Sequence, residues 1–273
     1  GLIERSIFMK KLKLITGLLS LSLCFTAAFS SLANAAQKSV KAVKATETVK
    51  ATEAVKATEA VKATENKDQD VDRIIVIAAH KSDKSKVTLN DYTKNKDGSW
   101  HKNWSVNGIC GANGITDDKK EGDKKTPSGF FKATMNFGIK DDPGSKIEYH
   151  KIAKGDYWVD DSESKYYNKL VNTKDVQKDW KSAENMIAEA PFYNYGIALD
   201  YNSAAVPYKG SAIFIHCTNS NNSGTKLNSS TGSAGCIRIP EEYMIELIKS
   251  TDKNTRFYIM AEAETWYNSK YMK

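Results

Sequence analysis

Short apolar runs separated by polar segments begin at about residue 71. Residues 74–79 form a continuous apolar, largely β-branched run, which predicts a buried strand. The turn signal Asn-Lys-Asp-Gly at 95–98 precedes alternating aromatic and polar residues at 100–106, a pattern that predicts the second strand of a hairpin. Further short strands are predicted at 87–89, 129–133, 195–201, 212–216 and 255–260.

Helical patterns are few, at 181–189 and 241–249. The second has Pro240 at its start, Glu241 and Glu242 in its first turn, and apolar residues on one side. Many short strands with few helices predict a mainly β domain, a β-sandwich or barrel with a few short helices and long loops. We expect this single domain to cover residues 71–273.

The first 70 residues read as a targeting segment and a spacer. A basic start from Met9, an apolar stretch at 14–29 and Ala-Asn-Ala at 33–35 predict a signal peptide over residues 1–35, with residues 1–8 upstream of the native start. The alternative is an uncleaved membrane anchor. Residues 36–70 repeat a six-residue Lys-Ala-Thr-Glu unit whose valines fall about 120° apart on a helix, so it builds no apolar seam. We expect a solvated tether and a secreted protein of the cell wall or cell surface.

Composition and charge exclude several classes of function. Of the 273 residues, 40% are hydrophobic and 27% charged, which is typical of a globular chain. The formal charge of +7 comes partly from residues 1–36, which contribute +3; the remainder has 36 basic and 32 acidic residues without a basic cluster. The electrostatic field of such a chain is weak, so we expect no nucleic-acid partner. We expect a monomer.

The candidate chemistry lies between residues 211 and 240. A predicted strand delivers His216, a polar loop follows, and Cys236 comes after Gly235. A Cys nucleophile needs a base within hydrogen-bond reach, and main-chain N–H groups around Gly235 and Cys236 would suit an oxyanion hole. The alternative is a buried thiol and an unreactive core histidine.

Two other cysteines, Cys110 and Cys217, remain after signal-peptide cleavage. The odd count predicts at least one free thiol, with Cys110 either free or paired with Cys217. Strand alternation predicts that Cys217 points away from the side of the strand that carries His216. This separation argues against a zinc site, and we expect neither a metal nor a cofactor.

At these residues the sequence resembles the L,D-transpeptidase catalytic domain, the YkuD-like family. Its signature is a His, 14 to 17 residues, then Ser or Thr, His, Gly and Cys. Here His216 is followed by 16 residues and then by Ser233-Ala234-Gly235-Cys236. The segment Lys-Thr-Pro-Ser-Gly-Phe at 125–130 and the Cys-Ile-Arg ending at 236–238 are also similar to the family, and the resemblance covers roughly residues 71–260.

The resemblance implies a thioester mechanism on peptidoglycan stem peptides. Cys236 would attack the bond between diaminopimelate and D-alanine, with His216 as base, and an amine of a second stem would resolve the thioester. Ser233 and Gly235 would support the loop or the oxyanion, and Arg238 would face a stem carboxylate or hold the loop in an ion pair. The family's second histidine is Ala234 here, which leaves the support of the loop in question. Covalent inhibition by carbapenems is also implied.

Other readings stay open. A hydrolase on the same scaffold, an L,D-carboxypeptidase, would release D-alanine to water, and a non-catalytic wall-binding module would keep the fold without the acyl adduct. Sortases separate His and Cys much farther, and papain-like and NlpC-type peptidases place Cys before His.

Overall fold

The computed structural model describes residues 71–218 and 232–271. The predicted signal peptide, residues 1–35, and the predicted spacer, residues 36–70, lie outside the described residues. Within them, fifteen strands and two α-helices are present. The strands are β1 Arg73–Ala79, β2 Lys86–Lys94, β3 Trp100–Ile109, β4 Ile115–Thr116, β5 Thr126–Pro127, β6 Gly129–Phe131, β7 Ala133–Gly138, β8 Tyr149–Lys151, β9 Asp156–Val159, β10 Leu170–Asn172, β11 Ala183–Asn185, β12 Gly196–Leu199, β13 Phe214–Cys217, β14 Ile237–Ile239 and β15 Thr255–Met260; the helices are α1 Glu241–Ser250 and α2 Glu264–Tyr267. No helix among the described residues is long and apolar enough to cross a membrane.

Ten strands form one mixed sheet in the order β6-β15-β1-β2-β3-β14-β13-β12-β7-β8. The strands that carry or adjoin the predicted catalytic residues are β13 and β14. They run parallel, with Ile215 opposite Ile237 and His216 opposite Arg238. β12 pairs antiparallel with β13 on its other side, and β14 meets the end of β3. A smaller sheet, β10-β9-β11, lies outside this order.

The main core joins both halves of the large sheet. It contains Ile75 from β1, Ile197 from β12, Ile215 from β13 and Phe257 from β15, and α1 adds Leu247. Strands that are far apart in the sheet order can share one core only if the sheet curls around it, so the predicted mainly β fold is confirmed as a curled sheet.

Most of the predicted elements are present. The strand predicted at 255–260 has the same bounds in the structure, and β1 begins one residue earlier than predicted. The β2–β3 hairpin closes with a bond of 2.8 Å from the Asn95 N–H to the Ser99 carbonyl. The helix predicted at 241–249 is α1, which ends at Ser250.

The helix predicted at 181–189 is wrong. Ala183–Asn185 is a strand that pairs with β9, and a 3₁₀ helix, Met186–Glu189, follows it. Helix-favouring residues are overridden here because pairing with the edge of β9 satisfies the backbone of this segment.

Candidate active site

Cys236 and His216 lie on the same side of two adjacent parallel strands. His216 is opposite Arg238 in the register of β13 and β14, and Cys236 precedes Arg238 by two residues. Side chains two residues apart share a face of the sheet, so Cys236, Arg238 and His216 all face one way. Phe214, two residues before His216, packs in the same cluster as Cys236. The strand pairing therefore makes the two predicted catalytic residues diagonal neighbours.

His216 is buried, with 3% of its surface exposed, and its ring is fixed from two sides. Its Nδ1 lies 2.9 Å from the carbonyl oxygen of Cys217, and its ring packs edge-on against Tyr193 at 5.0 Å between centroids. A carbonyl can only accept, so Nδ1 carries the proton and the neutral ring leaves Nε2 unprotonated. Burial, and then the nearby Arg238, lower the pKa of His216 to about 3. The ring is therefore a neutral base at pH 7.

The Cys236 thiol is a buried, protonated group in this structure, 8% exposed. Its Sγ donates to the carbonyl of Ala212 at 3.1 Å. Burial, and then the charge of Glu184, raise the pKa of Cys236 to about 12, while the backbone of Phe214 and the Arg238 guanidinium act to lower it. Thiol and imidazole are thus both neutral at pH 7, and the thiol needs a base to become a nucleophile.

Arg238 lies beside this pair and stacks on an aromatic ring. Its Cζ is 4.9 Å from the centroid of Phe192, whose ring also contacts His216 at 6.1 Å. None of the ion pairs among the described residues includes Arg238, and its Nε is buried without a hydrogen-bond partner. The ion pair considered as an alternative for this residue is not formed within the described part of the chain.

Ser233 and Gly235 build the turn before Cys236. The Ser233 hydroxyl donates to the Cys236 carbonyl and accepts the Gly235 N–H at 3.0 Å. The Gly235 N–H is therefore engaged within the turn in this structure. A Cβ on Gly235 would come within 3.0 Å of the Lys125 carbonyl, so the close approach favours glycine.

The upstream segment resembling the family motif anchors the same turn. The buried hydroxyl of Thr126 donates to the Gly235 carbonyl at 2.7 Å and accepts the Gly111 N–H at 2.9 Å. Gly111 in turn forms a parallel bridge with Ser233. Two motifs that are more than 100 residues apart are thus connected by the Thr126 hydroxyl. Ala234, where the family has its second histidine, is exposed.

A carboxyl group that sequence reasoning missed lies near the thiol. The Tyr193 hydroxyl donates to the carboxylate of Glu184, and the Tyr193 ring packs on His216. Burial, opposed by this hydrogen bond, raises the pKa of Glu184 to about 7. Glu184 lies in the segment taken for a helix, so the sequence carried no signal of this contact.

The remaining thiols lie elsewhere. Cys217 is fully buried in the main core with its Sγ 3.5 Å from the Tyr195 carbonyl, on the side of β13 opposite His216, as strand alternation predicted. Cys110 is a separate buried thiol, and both are free, so the considered Cys110–Cys217 disulfide is absent here. Among residues 71–218 and 232–271, no group of three or more His, Cys, Asp or Glu is arranged to hold a metal ion.

Comparison with known proteins gives the family. The sequence model of YkuD, described as the L,D-transpeptidase catalytic domain, matches residues 75–259. The chain belongs to the YkuD family. The match includes the Thr126 anchor, His216, Cys236 and Arg238. No curated protein matches the chain.

Two solved structures are similar to this YkuD chain. One is an Enterococcus faecium L,D-transpeptidase mutant with serine in place of a cysteine, at 17% identity and a TM-score of 0.32, with the alignment covering 69% of this chain and 50% of that one. The other is the Ldtfm-avibactam carbamoyl enzyme, at 16% identity and a TM-score of 0.33, covering 71% of this chain and 50% of that one. This chain therefore spans half the length of either solved chain.

Proposed function

We propose that this YkuD domain is a cysteine-dependent L,D-transpeptidase acting on peptidoglycan stem peptides. The observation that carries the proposal is the pair formed by Cys236 and His216, a buried thiol and a neutral imidazole on one face of adjacent strands. The family match supplies the class of reaction. The substrate is expected outside the cytoplasmic membrane, in agreement with the signal peptide and tether predicted for residues 1–70.

The first step forms the thioester. As Sγ of Cys236 attacks the carbonyl carbon between diaminopimelate and D-alanine, its proton passes to Nε2 of His216. The resulting imidazolium gives that proton to the departing amine of D-alanine, so the peptide bond breaks as the thioester forms. Because both groups are neutral at rest, His216 acts as a general base during the attack rather than as a partner in a preformed ion pair.

The second step releases the product. An amine of a second stem attacks the thioester carbonyl, His216 accepts a proton from it, and the Cys236 thiol is regenerated. The Cys217 carbonyl keeps Nδ1–H in place and stabilises the imidazolium at both steps. Arg238, which forms no ion pair within the described residues, is available for a stem carboxylate.

Product analysis tests the proposal. The chain is incubated with a stem tetrapeptide ending in diaminopimelate-D-alanine, with and without an added amine acceptor. We expect D-alanine release together with the amide product, and loss of both in Cys236→Ala and His216→Gln. Release of D-alanine without amide product would favour the L,D-carboxypeptidase instead. Binding of the peptide without any release would favour a wall-binding module.

Covalent inhibition gives an independent test. A carbapenem should acylate Cys236, because the same thiol and base would open the β-lactam ring. Intact-protein mass spectrometry should show one adduct, absent from Cys236→Ala. The proposal fails if the adduct forms equally in that variant.

A further inference from the structure

Ala212, the acceptor of the Cys236 thiol hydrogen bond, has an unusual backbone. Its φ is 52°, in the left-handed region that is uncommon outside Gly, Asn and Asp. A residue stays there only where its surroundings fix it. The conformation occurs two residues before β13, at the point where the Ala212 carbonyl accepts from Sγ of Cys236 at 3.1 Å.

Asn168 is the group that fixes this backbone. Its Oδ1 accepts the Ala212 N–H and the indole N–H of Trp158, each at 3.0 Å. Its Nδ2 donates to the carbonyls of Tyr201 at 3.3 Å and Asn202 at 2.9 Å. Both ends of the amide are therefore used, and rotating the side chain by 180° would break all four bonds. One side chain thus joins the loop that precedes β13 to the small sheet and to the 201–202 turn.

We propose that Asn168 is a positioning residue for Cys236, acting through the backbone of Ala212. By holding the Ala212 N–H, the amide directs the Ala212 carbonyl at Sγ and so selects one orientation of the thiol. A carbonyl acceptor stabilises S–H and faces a thiolate unfavourably, so this contact keeps the thiol protonated until His216 takes the proton. That reading of Cys236 as a nucleophile rests on the proposed function; the orientation itself does not.

A second backbone group near the thiol acts in the opposite direction to the Ala212 carbonyl. The Phe214 backbone acts to lower the pKa of Cys236 and so favours the thiolate. Ala212 and Phe214 lie two residues apart on the same segment, one favouring the thiol and the other the anion. A small rotation about the Ala212 backbone therefore changes the balance between the two forms, and Asn168 prevents that rotation.

A purely structural tie between loops is the competing explanation, and a matched pair of variants separates the two. Asn168 has φ 53° and Asn202 has φ 48°, so glycine fits either position without backbone strain. The Asn202 amide bonds to the backbone of Val206 and Gly210, with no bond to Ala212. Asn168→Gly and Asn202→Gly therefore each remove an amide that ties loop backbone together, but only the first releases Ala212, together with the Trp158 indole.

The experiment measures the rate of alkylation of Cys236 by iodoacetamide as a function of pH, with peptide mass mapping to identify the modified cysteine. The pH at which this rate is half of its maximum is the alkylation midpoint. The melting temperature of each variant is measured in parallel. In Asn168→Gly we expect the alkylation midpoint to move to lower pH and the rate at pH 7 to rise about threefold or more, because the thiol loses its acceptor. Acyl transfer should fall in kcat by roughly tenfold or more with KM nearly unchanged, since the nucleophile is misplaced. Asn202→Gly should retain the wild-type midpoint, whatever its melting temperature.

Two further variants complete the test. Asn168→Asp retains the oxygen acceptor for Ala212 and adds a negative charge near the thiol, so its midpoint should not fall below that of the wild type, while thermal stability should be lost. If Asn168→Gly does not fold, Asn168→Ala decides: alanine already occupies the same backbone region at Ala205 and Ala212, the amide is removed, and the midpoint should again fall. An unchanged midpoint in Asn168→Gly or Asn168→Ala, or an equal shift in Asn202→Gly, would overturn the proposal. A wild-type chain that transfers no acyl group would remove the proposed function but leave this alkylation test intact.

Discussion

The two faces of β13 are equally buried but are built from different chemistry. One face places Ile215 and Cys217 in the main core, among aliphatic side chains. The other places Phe214 and His216 against aromatic rings, with Cys236 beside them. Both cysteines are withdrawn from water, and burial raises the pKa of each to about 12. Burial alone therefore does not set the two thiols apart.

What distinguishes the faces is the set of polar groups around each thiol. Cys217 lies beside the backbone carbonyl of Tyr195 in the aliphatic core, and two opposite charges act on it: Glu241 raises its pKa and Lys140 lowers it. Cys236 is on the face that carries an unprotonated imidazole nitrogen, and the Arg238 guanidinium acts to lower its pKa. A thiol needs a base to become a nucleophile, and the imidazole of β13 lies on the face of Cys236 rather than on that of Cys217.

Removing the two thiols in turn should break the comparison most clearly. Cys236→Ala should abolish acyl transfer, because no other described thiol has a base beside it. Cys217→Ala should keep the alkylation rate of Cys236 and lose about 1 kcal/mol of folding free energy to the small cavity left in the main core. Steady-state kinetics and urea unfolding measure the two effects, and appreciable turnover in Cys236→Ala would place the nucleophile elsewhere.

The buried imidazole should make the protein sensitive to acid. The unfolded chain binds the His216 proton near the ordinary pKa of 6.5, whereas the folded chain binds it only near 3. The contribution of His216 to stability is therefore complete above pH 6.5 and is lost as the pH falls towards 3. Glu184, with its pKa raised from 4.5 to about 7, acts in the opposite sense, since its contribution is complete below pH 4.5 and is lost up to pH 7.

His216→Gln isolates the first of these contributions. Urea unfolding at intervals between pH 3.5 and 7 should show a shallower loss of unfolding free energy in His216→Gln than in the wild type. Glu184→Gln serves as the control, since it should steepen the same curve. Parallel curves for the wild type and His216→Gln would mean that the ring is not buried neutral.

A smaller effect is expected from the carboxylate near the thiol. Glu184→Gln removes a negative charge that raises the pKa of Cys236, so alkylation at pH 8 to 9 should become about two- to fivefold faster. Glu189→Gln, a neighbouring charge that acts on Glu184, is the matched control and should change the rate less. Slower alkylation in Glu184→Gln would contradict the assigned sign.

Sequence pattern predicted the parts of this molecule that depend on local chemistry. A continuous apolar run identified β1, a further short run identified β15, and alternation along 213–217 placed His216 and Cys217 on opposite faces. The strands of the small sheet are three or four residues long and mix polar with apolar side chains, so no periodicity marks them.

The surroundings of the thiol could not be predicted in the same way. The Thr126 hydroxyl bonds a carbonyl 109 positions away, and Asn168 meets Ala212 across 44 positions. Such contacts depend on how loops are brought together by the sheet. The left-handed backbone of Ala212 carries no sequence signal either, because alanine is not the residue usually found there.

The most direct test of the account is where the acyl group forms. The chain is incubated with a stem tetrapeptide ending in diaminopimelate-D-alanine, quenched in acid, digested and mapped by mass spectrometry. The account predicts a thioester on Cys236 with the mass of the tripeptide acyl group, formed with release of one D-alanine and absent from His216→Gln on the same timescale. An acyl group on Cys217 or Cys110, or turnover of the peptide with no acyl group on Cys236, would contradict it.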